Sequence, residues 1–281
     1  MMTLLPKSLR RKTNTVQVTL KKDVTLRKPY SYGAYNKIKG NKQAIRITEG
    51  CVWNCPNCYE PTELRVFGIP EIERNDVLVF DMNLLCKPEA LPIIRQLGEI
   101  RVNGKPVRYD LVCGADYRFM TEELAEALHD SRFGNVGFDK KLHKNRVIRL
   151  AWDGSYSDQT KIKRAIDLLV KAGYKPNEVM LFMLANHSRC SYEECVMKLD
   201  LCKVWNVKVA DCYFDGQVSP HIIPIFWSSE EIKSFRRKVR KHNQIVNFGI
   251  DPEVAKGVGG AYKPLTIPEE RRMLDGRTGD C

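Results

Sequence analysis

The sequence predicts an α/β fold with a parallel sheet, because apolar segments of strand length alternate with amphipathic helical segments along most of the chain. Six segments have strand character, at 44–48, 76–81, 108–113, 147–152, 178–185 and 207–213. The run from Val77 to Phe80 is continuously apolar, which fits a strand with both of its faces covered. With 281 residues the chain is long enough for a single barrel. The alternation alone suits a doubly wound sheet equally well.

The predicted helices follow from apolar periodicity and from residues typical of helix ends. They cover 88–97, 121–128, 158–173, a segment opening at 191, and 228–241. Thr121 suits an N-cap, and Gly173 is expected to close the third helix. The last two helices each begin at a capping box, Ser191-x-x-Glu194 and Ser228-x-x-Glu231. Most predicted strands are therefore followed by a helix, as repeated β-α units require.

Composition gives expectations about the compartment. No stretch of eighteen apolar residues occurs, so we expect no membrane-spanning helix. The amino-terminal segment lacks the long apolar core and the small-residue cleavage site of a secretory signal. Ten cysteines in a chain of this length favour a reducing compartment over a disulfide framework. We therefore expect a cytoplasmic protein.

Positive charge is concentrated at two places in this chain of net charge +12. Residues 1–50 carry twelve Lys and Arg against two acidic residues, and a second concentration lies at 233–241. Such fields attract polyanions, so nucleic acid is a candidate partner. The alternative is a solvated, basic helix face without a partner.

Three regions are expected along the chain. Residues 1–43 form a basic amino-terminal extension, 44–250 the main domain, and 251–281 a tail rich in Gly, Pro and charge. Within the extension, 15–20 alternates as a strand does, and 28–35 is a loop rich in Tyr. We favour an arm folded across the opening of the main domain over a surface on which bases stack.

Three cysteines lie close together where the first predicted strand gives way to a loop, as Cys51-x-x-x-Cys55-x-x-Cys58. Thiolates are the usual ligands of iron–sulfur clusters, and a [4Fe–4S] cluster held by three of them keeps one iron open. A structural zinc site is the alternative. It needs a fourth Cys or His, usually from a second pair, and the chain has no second C-x-x-C. The spacing therefore favours a cluster with an open iron.

This cysteine spacing at the end of the first strand resembles the signature of the radical S-adenosylmethionine (radical SAM) superfamily. The resemblance covers about residues 44–215 and implies a partial (β/α)6 barrel of the TIM type, with the three cysteines as ligands of a [4Fe–4S] cluster. In the family the open iron chelates SAM, and an electron from a reductant such as flavodoxin or ferredoxin breaks the sulfur–C5′ bond. The resulting 5′-deoxyadenosyl radical takes a hydrogen atom from the substrate, in a closed site at the carboxyl ends of the strands.

The chain departs from the family pattern at two places. Asn57 stands where an aromatic residue is common, and Tyr59 is expected to take over its packing or the adenine contact. After the second strand the family often has Gly-Gly-Glu, whereas this chain has Asp81-Met-Asn83. A carboxylate and an amide can still accept hydrogen bonds from the amino group of SAM. The alternative for Asp81 is a cap or a turn before Pro88.

Other strand ends supply further candidate cofactor ligands. Asp116 and Arg118 belong to a Gly-x-Asp-x-Arg turn similar to one in other radical enzymes, although a salt bridge between them is the alternative. Asp153 is expected to bind ribose or the amino group of SAM, with a helix cap as its alternative. Asn186 is expected at the ribose or the methionine part, and His187 is favoured as a loop residue. No catalytic residue is predicted.

These observations predict a radical SAM enzyme whose reaction after radical formation is open. The basic segments favour a nucleic acid or nucleotide as its substrate, and a peptide or small molecule is the alternative. A zinc-stabilised nucleic-acid-binding protein without catalysis is the alternative from another class. A third hypothesis is a cluster-bearing protein with a regulatory or scaffold role.

Overall fold

The structure, a computed structural model, describes residues 31, 33–53, 55, 58, 60–137, 146–187, 189–213 and 226–249. The strand predicted at 15–20, the tail at 251–281 and half of the Tyr-rich loop lie outside these residues. Within them the chain has a mixed α/β fold with parallel strands, as the sequence predicts.

The first sheet has four strands in the order β1 (Tyr35–Lys39), β2 (Lys42–Arg46), β5 (Asp76–Val79) and β8 (Arg108–Leu111). The strands β2, β5 and β8 are parallel, and β1 pairs antiparallel with β2. The strand β1 falls within the predicted extension, where Tyr35 is expected in a loop. An edge strand is thereby added before the first predicted β-α unit.

The second sheet has the order β12 (Lys208–Tyr213), β11 (Val179–Ala185), β10 (Ile148–Trp152) and β9 (Ala115–Asp116), and its strands are parallel. The chain passes from the first sheet to the second through a turn at Gly114, whose φ is 83°. The described strands pair as separate sheets, so the partial barrel stays a prediction.

Two short antiparallel ribbons extend these sheets. One joins β3 (Thr48–Glu49) to β4 (Arg65–Val66), and the other joins β6 (Arg101–Val102) to β7 (Lys105–Pro106). The first strand predicted at 44–48 is therefore divided at Ile47 between β2 and β3.

The helices are α1 (Ala90–Glu99), α2 (Glu122–Asp130), α3 (Gln159–Lys171), α4 (Tyr192–Trp205) and α5 (Ser229–Phe248). Thr121, Ser191 and Ser228 each accept a backbone hydrogen bond as N-caps. The box at Ser228 is complete, whereas the Glu194 carboxylate accepts from Tyr156 N at 2.6 Å. None of the helices in the described ranges is both long and apolar enough to cross a membrane.

Helix α5 runs to Phe248, well past the predicted end near 241, because its buried face continues through His242 and Val246. Burial alternates strictly along β10 and β11. The side chains on one face of this sheet are thus buried, while those on the other face are partly accessible to solvent. Trp152 on the covered face stacks on Trp205 of α4, with 5.7 Å between ring centroids.

Candidate active site

The cysteine loop, residues 50–64, connects β3 to β4 beyond the carboxyl end of β2. Its base is closed by a hydrogen bond from Cys51 N to Pro61 O at 2.8 Å. Gly50 has φ of 91°, and a Cβ there would lie 1.9 Å from Glu63 O. Only glycine fits this close approach of the two ends of the loop.

A buried ion pair lies under the loop. Glu60 accepts from Arg46 Nη2 at 2.7 and 2.8 Å and from Gly50 N at 2.7 Å. The side chains of Arg46 and Glu60 are 6% and 1% exposed. This carboxylate therefore fixes both the start and the end of the cysteine segment. The sequence did not lead us to predict this ion pair. Its signal is an acid, Glu60, soon after the last cysteine of the motif and a basic residue, Arg46, on the preceding strand.

Asp81 holds the strand that leads into the loop. Its carboxylate is fully buried and accepts from Ile47 N, Thr48 N and Thr48 Oγ1 at 2.7–2.9 Å. Burial raises the pKa of this carboxyl, and the three donors oppose that rise. The predicted contact of Asp81 with a cofactor stays a prediction, and the geometry gives this residue a turn-stabilising role.

Cys51 is surrounded by hydrogen-bond donors. Asn83 Nδ2 lies 3.4 Å from Cys51 Sγ, and the Cys86 thiol also hydrogen-bonds to it. The bond from Cys86 is the main reason that the pKa of Cys51 falls to about 6. Lys87, which is 3% exposed, donates from Nζ to Gly50 O and to Asn83 O. Neither Cys86 nor Lys87 was predicted from the sequence, because neither belongs to a recognisable motif.

The thiols of Cys55 and Cys58 have raised pKa values. Burial raises the pKa of Cys55 and of Cys58, and Cys58 Sγ accepts from Glu60 N at 3.4 Å. Among the described residues, no three His, Cys, Asp or Glu side chains lie close enough together to hold one metal ion. The donor set is three thiols on one loop, with N–H groups directed at the sulfurs of Cys51 and Cys58. Such a set fits a cluster that binds each thiolate to a different iron.

The network continues from Asn83 to Asp116 on β9. Asp116 Oδ2 accepts from Asn83 Nδ2 at 3.0 Å and from Trp53 Nε1 at 2.7 Å. Arg118 donates from Nε to Asp116 Oδ1 at 2.7 Å, so the salt bridge considered as an alternative is present. The guanidinium carbon of Arg118 lies 3.8 Å from the centroid of the Trp53 ring. Trp53 was not predicted, since a residue between two cysteine ligands has no signal of its own.

Asn83 keeps one unused hydrogen-bonding atom. The residue is 6% exposed, and its Oδ1 is buried without a partner among the described residues. Because the Asp116 carboxylate only accepts hydrogen bonds, the Asn83 atom that faces it must be the amide nitrogen, Nδ2. The free oxygen is therefore an acceptor beside the Cys51 thiol.

Asp153 directly follows β10. The residue is exposed to solvent, although protein atoms surround much of its carboxylate. Burial raises the pKa of its carboxyl, and the charge of Lys198 opposes the rise. Burial also raises the pKa of Cys212 to about 11, with a further contribution from the Asp153 charge. The same charge contributes at Cys55. Asp153, Cys212 and Cys55 are thus electrostatic neighbours at the carboxyl ends of the strands.

Asn186 serves as an anchor. It is fully buried with φ of 55°, and its Oδ1 accepts from Phe226 N and Trp227 N, both at 3.0 Å. This ties the end of β11 to the segment before α5. His187 Nδ1 accepts from Arg189 N at 3.1 Å, as a loop histidine would. Tyr59 lies outside the described residues. The cofactor contacts of Tyr59 and Asn186 stay predictions.

Comparison with known proteins gives few matches. No protein-family model matches the chain, and no curated protein matches its sequence. Among solved structures it is similar to a radical S-adenosylmethionine methyltransferase, TsrM, from Kitasatospora setae, with cobalamin and a [4Fe-4S] cluster bound. That alignment has a TM-score of 0.43 at 13% identity and covers 59% of this chain and 36% of the other.

A second structure of TsrM holds its tryptophan substrate and the SAM analogue aza-SAM. Its TM-score is 0.44 at 14% identity, over 61% of this chain and 36% of the other. The chain thus spans about a third of the length of these structures. The similarity is distant and by itself too low to assign an activity.

Proposed function

We propose that the chain is a radical SAM enzyme that holds a [4Fe–4S] cluster through Cys51, Cys55 and Cys58. The observation that carries the proposal is the arrangement around Cys51, at the carboxyl ends of parallel strands. Its thiol has a pKa lowered to about 6 and accepts from Asn83 Nδ2. When bound, such a cluster supplies one electron that splits the sulfur–C5′ bond of SAM and gives a 5′-deoxyadenosyl radical.

The residues around the loop bind and orient. We assign the free Oδ1 of Asn83 to the amino group of SAM, because an ammonium satisfies a buried, unpartnered acceptor. The Asp81 carboxylate already accepts three hydrogen bonds and supports the loop from below. Asp153 remains accessible at its strand end and is assigned to the ribose hydroxyls. Asp116 and Arg118 orient Asn83 and Trp53.

A nucleic acid is proposed as the substrate class. Helix α5 presents a solvent-exposed basic face, formed by Lys233, Arg237, Lys238 and Arg240. Its opposite face packs against β12 through Ile232, Phe235 and Val239, which are buried. A basic face on a firmly packed helix suits binding to a phosphate backbone.

The test is iron and sulfide analysis of anaerobically purified protein, followed by assay of 5′-deoxyadenosine after addition of SAM and dithionite. The wild type is expected to hold iron and sulfide and to release 5′-deoxyadenosine, and Cys55→Ala is expected to lose both properties. Cys212→Ala, which removes a thiol outside the loop, serves as the control for iron content. A colourless protein with one zinc ion and no iron would refute the proposal.

A further inference from the structure

Two buried cysteines are in contact at the start of α4, and neither belongs to the cysteine loop. Cys190 Sγ lies 3.1 Å from Cys195 Sγ, and the two residues are 3% and 0% exposed. Ser191 is the N-cap of α4, so one cysteine stands immediately before the cap and the other one turn into the helix. Apolar residues at these two positions commonly pack on each other. Packing therefore explains the contact between the sulfurs, but it does not explain the cation beside them.

That cation is a buried lysine. The Lys198 side chain is 1% exposed, and its Nζ lies 3.3 Å from Cys190 Sγ, 2.6 Å from Gly154 O and 3.7 Å from Glu194 Oε1. Taking an ammonium out of water costs free energy unless anions or hydrogen-bond acceptors surround it. Two packed thiols need no such cation. A Cys190 thiolate gives the lysine a second anionic partner beside Glu194.

The surroundings make the two thiols unequal. The hydrogen bond from Cys195 lowers the pKa of Cys190 to about 7, and the charge of Lys198 adds to this effect while burial opposes it. The same hydrogen bond, together with burial, raises the pKa of Cys195. Cys190 also stands at the amino end of the 14-residue α4, where the helix dipole favours negative charge. One sulfur is thus suited to attack, and the other stays protonated in contact with it.

We propose that Cys190 and Cys195 are a dithiol site that hydrogen peroxide oxidises to a disulfide, with Lys198 holding Cys190 as the attacking thiolate. The Cys190 sulfur attacks one oxygen of the peroxide, the O–O bond breaks, and a sulfenic acid and one water are formed. The Cys195 sulfur then attacks the Cys190 sulfur, the S–O bond breaks, and a second water leaves. The two thiols together lose two electrons and both protons, and the peroxide is reduced to two waters.

Burial selects a small oxidant for this site. Because Cys190 is 3% exposed, larger oxidants such as glutathione disulfide are kept from its sulfur, whereas hydrogen peroxide is close to water in size. The backbone of Cys190 is fixed on both sides, since its N donates to His187 O at 3.1 Å and its O accepts from Trp227 Nε1 at 2.9 Å. A disulfide needs its sulfurs about 2.05 Å apart, so side-chain movement of about 1 Å closes the bond.

The test is disulfide mapping of the full chain under native conditions. The protein is reduced, freed of reductant and treated with equimolar hydrogen peroxide, with a chelator present to bind any released iron. Free thiols are then blocked with N-ethylmaleimide, and trypsin is added without reduction. Cleavage after Arg189 and Lys198 leaves both cysteines in the peptide 190–198. We expect this peptide to carry no label and to be lighter than the dithiol by two hydrogen atoms.

Three variants separate the roles of the residues. Cys195→Ala is expected to leave Cys190 as a sulfenic acid that dimedone labels, because no partner thiol remains. Lys198→Met is expected to slow disulfide formation about fivefold, because the thiolate fraction falls. Cys202→Ala removes another buried thiol of α4 and is the matched control, with an unchanged rate expected.

Two outcomes in the wild type would overturn the proposal without any variant. One is a peptide 190–198 that carries two labels after peroxide treatment. The other is an equal rate of disulfide formation in the native protein and in urea, since nearness in the sequence alone would then pair the thiols. An unchanged rate in a folded Lys198→Met protein would overturn the role of the lysine, and the comparison with urea decides if that variant does not fold. None of these measurements reads iron content or 5′-deoxyadenosine, so they stand apart from the proposed function.

Discussion

Asn83 Nδ2 lies 3.0 Å from Asp116 Oδ2 and thereby joins the ends of β5 and β9 beside the cysteine loop. The same carboxylate oxygen accepts from Trp53, and Arg118 pairs with the carboxylate from its other side. One carboxylate thus orients an amide, an indole and a guanidinium. These three side chains are therefore held in place by hydrogen bonds and an ion pair within the protein itself.

Removing this carboxylate should loosen the whole network. Asp116→Ala leaves Asn83 and Trp53 without their acceptor and Arg118 without its counter-ion. We expect the free energy of unfolding to fall by about 2 kcal/mol. The reason is that the buried Asp116 carboxylate accepts hydrogen bonds from the neutral Asn83 and Trp53 side chains and from the charged Arg118. Urea unfolding followed by tryptophan fluorescence measures it.

The control for Asp116→Ala is Asp167→Ala, which removes an exposed i,i+4 partner of Lys163 on α3. That change should cost less than about 0.5 kcal/mol. Equal losses in the two variants would mean that the Asp116 network contributes nothing specific.

The cysteine loop offers a buried and an exposed ion pair for direct comparison. Glu60→Gln removes the charge that pairs with buried Arg46, while Glu63→Gln removes the charge that pairs with exposed Arg65. We expect about 3 kcal/mol of destabilisation for the buried site, since the buried Arg46 guanidinium loses its carboxylate partner Glu60. The exposed site should change stability by less than about 1 kcal/mol. Chemical denaturation monitored by circular dichroism gives both values, and a similar cost at the two sites would contradict the assigned role of Glu60.

The sequence predicts the order of the β-α units because strands and helices follow from local periodicity and caps. Thr121 and Ser228 are examples, since their cap bonds join residues three apart. The contacts that build the site are long-range. Trp53 meets Asp116 across 63 positions, and Asn83 meets Cys51 across 32. The sequence shows no pattern for such pairs, so the roles of Lys87 and Trp53 emerge only from the fold, whereas Glu60 at least stands soon after the cysteine motif.

The buried Lys198 should lower the pKa of a thiol in a second group of cysteines, Cys190 and Cys195. Cys190 Sγ lies 3.1 Å from Cys195 Sγ and 3.3 Å from Lys198 Nζ. The hydrogen bond from Cys195 and the charge of Lys198 lower the pKa of Cys190 to about 7. Lys198→Met should therefore raise that pKa and move the onset of alkylation to higher pH.

The measurement is the rate of carbamidomethylation at Cys190 between pH 6 and 9, read by mass spectrometry. Cys113 is an internal control, because burial raises its pKa to about 11 and its reaction should stay slow across most of this range. An unchanged midpoint for Cys190 in Lys198→Met would show that the lysine does not stabilise the thiolate.

His242 should make stability depend on pH. It is buried on α5, its Nε2 donates to Val207 O at 2.7 Å, and its Nδ1 has no partner among the described residues. Burial lowers its pKa below the usual 6.5, while Lys203 lowers it further and Asp200 opposes this. The unfolded chain therefore binds a proton that the folded chain does not, and stability falls as pH drops below about 6.5. The slope from this one group is at most about 1.4 kcal/mol per pH unit.

Gln at position 242 can keep the donor to Val207 and cannot titrate. His242→Gln should therefore show a shallower loss of stability between pH 7 and pH 5 than the wild type, measured by urea unfolding at each pH. His187, whose pKa burial also lowers, remains in both proteins and cancels in the difference. Parallel pH profiles for the two proteins would mean that His242 is protonated equally in the folded and unfolded states.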